Sequence, residues 1–171
     1  MASFTQQEAD QQALDWSILR DGGICLYRRP SLLALDIDWF RSHEYRVQVF
    51  DSGSWDSEMP MHDDLARVLS FPDYYGRNFN ALDECLSEDL DVPDVGGVIL
   101  CFMRFNQFAS CSISAHVLLD LLARASRKHM LRGRRLIILA QSDNPRLEVT
   151  GLGEIEPQWN RHEWFLRDRG L

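Results

Sequence analysis

The chain has 171 residues, 45% of them apolar, with 18 Lys+Arg against 26 Asp+Glu and a formal charge of −8. A chain of this length removes roughly 70% of its unfolded surface from water as one domain with additions, and two full domains would be a squeeze. The acidic balance argues against direct binding of nucleic acid, and the longest apolar or glycine run, Val95 to Met103, is far short of the roughly 20 residues of a membrane helix.

The first residues carry no basic n-region and no apolar h-region, so the expected compartment is the cytoplasm. Cys25, Cys85, Cys101 and Cys111 form no C-x-x-C pair and the histidines form no H-x-x-x-H. The usual zinc frameworks are missing, no cofactor is expected, and the cysteines read as buried free thiols.

Thr5 followed by Glu8 fits a capping box, which predicts a helix from about Gln6 to Leu19, broken by Gly22-Gly23. Ile24 to Tyr27 reads as a short strand, and the segment from Pro30 to His43 is either strand or helix. Tyr45, Val47 and Val49 alternate with Arg46 and Gln48 as in a strand, and Asp51 to Ser54 is turn chemistry. Met61, Leu65, Val68 and Leu69 recur at helical spacing until Phe71-Pro72, because a residue before proline is pushed out of the helical region. Gly76 is then expected to supply an unusual backbone angle, and Asn78 to cap a helix from Phe79 to about Glu88. Val98 to Phe102 and Arg135 to Ala140 read as strands covered on both faces, flanking a helix from Ser114 to His129 that Gly133 closes. The order strand, helix, helix, strand, helix, strand implies a small parallel sheet with right-handed crossovers. Beyond Ala140 the chain turns polar; Asn160 and Glu163 suggest a last capped helix through Arg169, and Gly151-Leu-Gly153 alone is too weak to be a phosphate loop.

Charge is uneven. From Asp73 to Asp94 there are seven acids and one base, net −6, whereas Arg124, Arg127, Lys128, Arg132, Arg134 and Arg135 face only Asp120, net +5. Either run alone reads as a solvated helix face. On the helix from Phe79, a 100° step puts Phe79, Leu82, Cys85, Leu86 and Leu90 on one side and Asn80, Asp83, Glu84, Ser87 and Asp91 on the other. Asp89 falls among the apolar positions, so this helix is expected to end or fray near Glu88.

Residues 71–86, Phe-Pro-Asp-Tyr-Tyr-Gly-Arg-Asn-Phe-Asn-Ala-Leu-Asp-Glu-Cys-Leu, resemble the signature segment of the barstar family of intracellular ribonuclease inhibitors. The resemblance extends over about Tyr45 to Ala140, through Phe105-Asn-Gln-Phe108 and the Leu136 to Leu139 strand, and leaves 1–44 and 141–171 as N- and C-terminal extensions. It implies an α/β fold with a three-stranded parallel sheet packed with helices, no enzymatic activity, and a basic ribonuclease as partner. Members of this family plug a nuclease active site with the loop and helix at this position, in the manner of an immunity protein or antitoxin. Carried over, Tyr74 is the loop tyrosine, Gly76 the turn glycine, Asn78 the helix-start asparagine, and Glu84 corresponds to the central helix aspartate. The chain departs from the pattern at Asn80, where the family has an acid, at Asp83, where it has an aromatic, and at Arg127, where a late-helix acid falls in an ungapped match.

The expected partner face is therefore Tyr74, Gly76, Asn78, Asn80, Asp83, Glu84, Ser87 and Glu88, with Tyr74 supplying packed area and Asp83, Glu84 and Glu88 engaging Arg or Lys of the partner. Replacing Asp83 and Glu84 together by Ala is expected to weaken binding and leave the melting temperature nearly unchanged. The main alternative is a barstar-fold interaction module with no nuclease target. Nucleic-acid binding through the basic run 124–135 is weaker, since interleaved aromatics are lacking, and a catalytic reading would need His62, His116 or Cys101 brought together. The five tryptophans, mostly in or beside the extensions, would make those segments part of an enlarged core or an interface, and the core is the expected fate.

Overall fold

The structure, a computed structural model, describes residues 4, 5, 7, 11, 13–149, 153 and 156–171. The predicted capping box rests on Glu8, and the Gly-Leu-Gly stretch on Gly151 and Leu152; these lie outside the described residues, as does much of the predicted helix before Leu14.

Five strands form one sheet: β1 (Ile24–Tyr27), β2 (Tyr45–Asp51), β3 (Gly97–Met103), β4 (Leu136–Gln141) and β5 (Gln158–Trp159). Their order is β2-β3-β4-β1-β5 and every pair is parallel. Among the described residues there are six α-helices: α1 (Leu14–Arg20), α2 (Pro30–Ser42), α3 (Glu58–Leu69), α4 (Phe79–Glu84), α5 (Phe105–Cys111) and α6 (Ser114–Leu131).

Alternation along the buried strands sorts the core into two layers. Val98, Leu100 and Phe102 of β3 with Leu136 and Ile138 of β4 face α3 to α6, where they meet Leu65, Leu82, Leu86, Phe105 and Leu122. Ile99, Cys101, Ile137 and Leu139 face the other way and meet Ile18 and Leu19 of α1 and Leu33, Ile37 and Phe40 of α2. Each fully buried side chain of this kind contributes roughly 1.5–3 kcal/mol. The α/β class with a parallel sheet is as expected, but the sheet has five strands rather than three. Both additional strands come from the extensions: Ile24 pairs with Ile138 on the outer edge of β4, and Leu26 pairs with Trp159. The physical reason is that β3 and β4 are apolar on both faces, and the helices that cover the second face, α1 and α2, both precede residue 44.

Other differences are local. Residues 30–42 are a helix, started by Pro30 at its first position, where a missing N–H costs nothing. The periodicity left residues 105–111 unassigned, yet they form α5, entered through a left-handed Arg104 (φ 54°) so that Phe105 and Phe108 are both buried. In place of one terminal helix there are two 3-10 turns, Arg161–Glu163 and Leu166–Arg169, separated by an extended Phe165. Trp55 joins the core, Trp16, Trp39 and Trp159 are half-buried, and Trp164 is exposed, contrary to the expected core role. Cys111 is likewise exposed, whereas the other three thiols are buried. Cys85 and Cys101 lie on opposite faces of the sheet.

Candidate functional site

Turns build the segment before α4. α3 stops where Ser70 takes a left-handed backbone (φ 55°), and the Tyr75 N–H donates to the Pro72 carbonyl at 2.9 Å. Gly76 does not have the left-handed angle expected of it; that role falls to Arg77 (φ 48°), whose guanidinium pairs with Asp63 of α3. Gly76 is there for space, because a Cβ would lie 2.9 Å from Asn78 Nδ2. The Asn78 side chain is in use: its Oδ1 accepts the Ala81 N–H at 3.0 Å and caps α4, as predicted.

The two adjacent tyrosines point apart. Tyr75 is buried against Phe71 and His62, and its hydroxyl meets His62 Nδ1 at 2.5 Å. Tyr74 is 72% exposed. One ring anchors the loop and the other is presented by it.

α4 widens instead of fraying. Over Cys85–Asp89 it makes a π-turn, in which the Leu90 N–H bonds the Cys85 carbonyl at 2.8 Å, five residues back. The extra residue turns Asp89 away from the core positions that helical spacing assigned to it and brings it to Tyr74, whose hydroxyl donates to Asp89 Oδ2 at 3.1 Å. That bond raises the Tyr74 phenol above its ordinary pKa. Asp89 is the surface acid that the sequence reading missed; its position among apolar residues was the available signal.

The two opposite charge runs meet in space. Arg124 and Lys128 of α6 lie 3.5 and 3.6 Å from the Asp83 carboxylate. Arg132 grips Glu88 with two bonds of 2.7 and 3.0 Å, and Arg134 reaches Asp94. Arg46 pairs with Asp91, and Arg135 with Asp15 at 3.0 Å. Ser87, expected on the partner face, is only 1% exposed, because Lys128 covers its hydroxyl at 2.9 Å. Asn78, Asn80, Glu84 and Glu88 are exposed and Asp83 is half-buried. Of the seven acids in the run, Asp73, Glu84 and Asp89 hold no ion pair among the described residues, and Asp73 and Asp89 directly neighbour or touch Tyr74.

The family model described as "Barstar (barnase inhibitor)" matches residues 45–141. The chain belongs to the barstar family. A Bacillus subtilis (strain 168) protein named "Putative ribonuclease inhibitor YrdF" is 44% identical over 48 residues, which are 28% of this chain and 53% of that relative. The match thus spans about half the length of this curated relative. A chain in the solved "Structure of Drosophila ORC bound to AT-rich DNA and Cdc6" superposes with a TM-score of 0.48 at 20% identity, over 81% of this chain and 47% of that one. Loop 70–78 and α4 both lie inside the barstar match, whereas α1, α2, β1 and β5 lie outside it.

Cys101 and His62 lie in different layers, His62 packing on Tyr75 and Phe79. Cys101 is buried on the α1/α2 face of the sheet, and burial pushes its thiol up to about 12. Burial does the same to Cys25 and Cys85. Among the described residues no group of three or more His, Cys, Asp or Glu could hold a metal ion, and no helix is long and apolar enough to cross a membrane.

Two buried histidines frame the barstar loop and helix. His62 accepts from Tyr75 and faces Glu58 through Nε2 at 3.3 Å, and His129 Nε2 donates to the Leu86 carbonyl at 2.8 Å. Burial lowers the pKa of both; Glu58 partly offsets this at His62, and Arg132 and Arg134 reinforce it at His129. The unfolded chain therefore takes up protons near pH 6.5 that the folded chain refuses, so stability is full above that pH and is lost as pH falls through the folded values. The melting temperature is expected to drop on acidification below about pH 6.5, and His62→Gln with His129→Gln to flatten the profile. An unchanged slope in the double variant would show that carboxylates alone carry it.

Proposed function

We propose that this chain is a protein inhibitor, not an enzyme, that occupies the active cleft of a basic ribonuclease with loop 72–78 and the exposed side of α4, acting in the cytoplasm in the manner of an immunity protein. The observation that carries this reading is the exposed Tyr74 with carboxylates around it that hold no ion pair among the described residues, inside the segment that matches the barstar family. An aromatic ring supplies area at small entropic cost, and unpaired carboxylates suit the Arg and Lys side chains that a nuclease uses to hold phosphates. The curated relative's name as a ribonuclease inhibitor points the same way.

Within this reading Glu84 and Tyr74 carry the energy, and Asp83 does not. Glu84→Ala and Tyr74→Ala are each expected to weaken partner binding by about 2 kcal/mol or more, the scale of truncated hot-spot residues at protein interfaces, the namesake pair of this family among them. Neither should move the melting temperature. Asp83→Ala is expected to lower stability by roughly 1 kcal/mol, because it strips Arg124 and Lys128 of a half-buried anion. This replaces the expectation that a double Asp83 and Glu84 change leaves stability untouched.

The test is a pull-down from lysate and secreted fraction with wild type, Glu84→Ala and Tyr74→Ala, followed by ribonuclease assays on captured proteins. A basic nuclease retained and silenced by wild type alone supports inhibition through this face. The second reading, a barstar-fold module with no nuclease target, draws on the internal neutralisation of Asp83, Glu88, Asp91 and Asp94. Capture of the same proteins by all three forms would favour it.

A further inference from the structure

The basic run 124–135 serves neither the inhibitor reading nor nucleic-acid binding, since Arg124, Lys128 and Arg132 point at acids of α4 and its π-turn and Arg134 at Asp94 beyond them. What it does is visible in the backbone of the π-turn. Once the Leu90 N–H bonds Cys85, the Leu86 carbonyl has lost the partner that an α-helix would give it, and the Ser87 carbonyl lies at the helix end. A carbonyl buried without a donor keeps the full cost of its lost hydration. The last turn of α6 and its C-cap residue supply both donors: His129 Nε2 reaches the Leu86 oxygen at 2.8 Å and Arg132 Nη1 the Ser87 oxygen at 2.6 Å. Lys128 Nζ adds the Ser87 hydroxyl at 2.9 Å, and the other arm of Arg132 holds Glu88.

We propose that Lys128, His129 and Arg132 form a latch that stabilises the π-turn and thereby positions Asp89 against Tyr74 on the partner face. Without these donors the segment has reason to return to the i→i+4 pattern. That change winds Asp89 back toward the apolar side of α4, where helical spacing puts it, and leaves Tyr74 without its hydrogen-bond acceptor. The latch explains why cations stand on α6 where an inhibitor of a basic enzyme would otherwise gain from acids. They act through α4 as positioning residues and do not meet the partner. The link to a partner rests on the inhibitor reading; the link between α6 and Tyr74 does not.

The experiment follows the Tyr74 phenol by NMR titration of tyrosine-labelled protein, together with amide exchange at Leu90. The variants are Arg132→Gln, Arg132→Lys and Glu88→Gln, with Asp89→Asn as the reference for a lost Tyr74 bond. Arg132→Gln is expected to bring the Tyr74 titration down toward that of Asp89→Asn and to speed Leu90 exchange at least about tenfold, the kinetic sign of an opened bond. Arg132→Lys keeps the charge and one donor for Ser87 and should restore most of both. Glu88→Gln keeps the carbonyl bond and should change neither. Unaltered Tyr74 and Leu90 signals in Arg132→Gln would overturn the latch, and so would equal changes in Glu88→Gln, which would assign the effect to the surface ion pair. Should Arg132→Gln fail to fold, Lys128→Gln, which removes a single donor, reads the same two signals. With a ribonuclease captured by wild type, Arg132→Gln should lose about tenfold in affinity; a shifted Tyr74 with unchanged affinity would sever the latch from binding. If wild type captures no nuclease, the inhibitor reading fails while the Tyr74 and Leu90 signals still decide the latch.

Discussion

Glu163→Ala is expected to destabilise the protein by about 3 kcal/mol, because the side chain closes a helix end that has no other cap. Its carboxylate is wholly buried and accepts the backbone N–H groups of Arg28 and Arg29 at 2.7 and 2.9 Å, and Arg29 Nε at 2.9 Å. Those amides belong to the two residues that lead into α2, of which Arg29 is the N-cap and makes no side-chain cap bond. A negative charge there also meets the positive end of the helix dipole. Removal takes the acceptor from two partly buried backbone donors and leaves a void where the buried side chain was, and for a chain of this size the loss corresponds to a melting-temperature drop of roughly 6–12 °C. Arg29→Ala is the control. Its side chain is half-exposed, so losing it leaves the backbone bonds intact and should cost about 1 kcal/mol or less. Thermal unfolding of the two variants side by side decides the matter, and equal losses would mean that the cap is not the source of the stability.

The second large effect is expected at Gly96, just before β3. Its backbone is left-handed (φ 69°), and a Cβ there would stand 2.1 Å from the Glu44 carbonyl oxygen and 2.6 Å from its carbon. The obstacle is main chain and cannot swing aside. Glu44 is itself left-handed (φ 65°) and leads directly into β2, whose first residue, Tyr45, pairs with Gly97. Gly96→Ala therefore combines the left-handed penalty of about 1–2 kcal/mol with an overpacking cost of about 1–3 kcal/mol, for a loss near 3 kcal/mol or more. Val95→Ala, at an exposed neighbour, should fall within about 0.5 kcal/mol of wild type. Urea midpoints would measure both, and a near-neutral Gly96→Ala would mean that the Glu44 turn can yield.

Much of the central fold was legible. The strands at 45, 98 and 136, the helices at 61 and 114 and the Asn78 cap follow from periodicity and turn chemistry, because these elements bury regular faces. The extensions were less legible for a physical reason. β1 was readable as the strand Ile24–Tyr27, but not its place in the sheet, and β5, two residues long, is too short for alternation to register; the pairings that join them span more than a hundred residues. α5 escaped because seven residues with two buried phenylalanines fall short of two helical turns and show no sustained period. At the site, the resemblance pointed to Tyr74 and the helix from Phe79, and the structure has that tyrosine exposed and that helix in place. The resemblance could not reveal that Asp83 and Glu88 are paired within the molecule, since ion pairing across forty residues leaves no local pattern. Nor could it foresee Asp89, whose place depends on one extra residue in a turn.

The strand order also dictates a sequence of assembly. β2, β3 and β4 pair with their neighbours along the chain, and with α3, α4 and α6 they make a unit of moderate loop lengths. β1 is different. Ile24 has no partner until Ile138 is in place, and β5 in turn needs β1 as its template. Closing loops of that span is entropically slow, so the pairings that join the extensions to the sheet belong to the last stage of folding. On a ribosome this first strand must wait, made but unpaired, while residues 28–141 are synthesised after it. The surface carrying Tyr74 lies in the part that can close first.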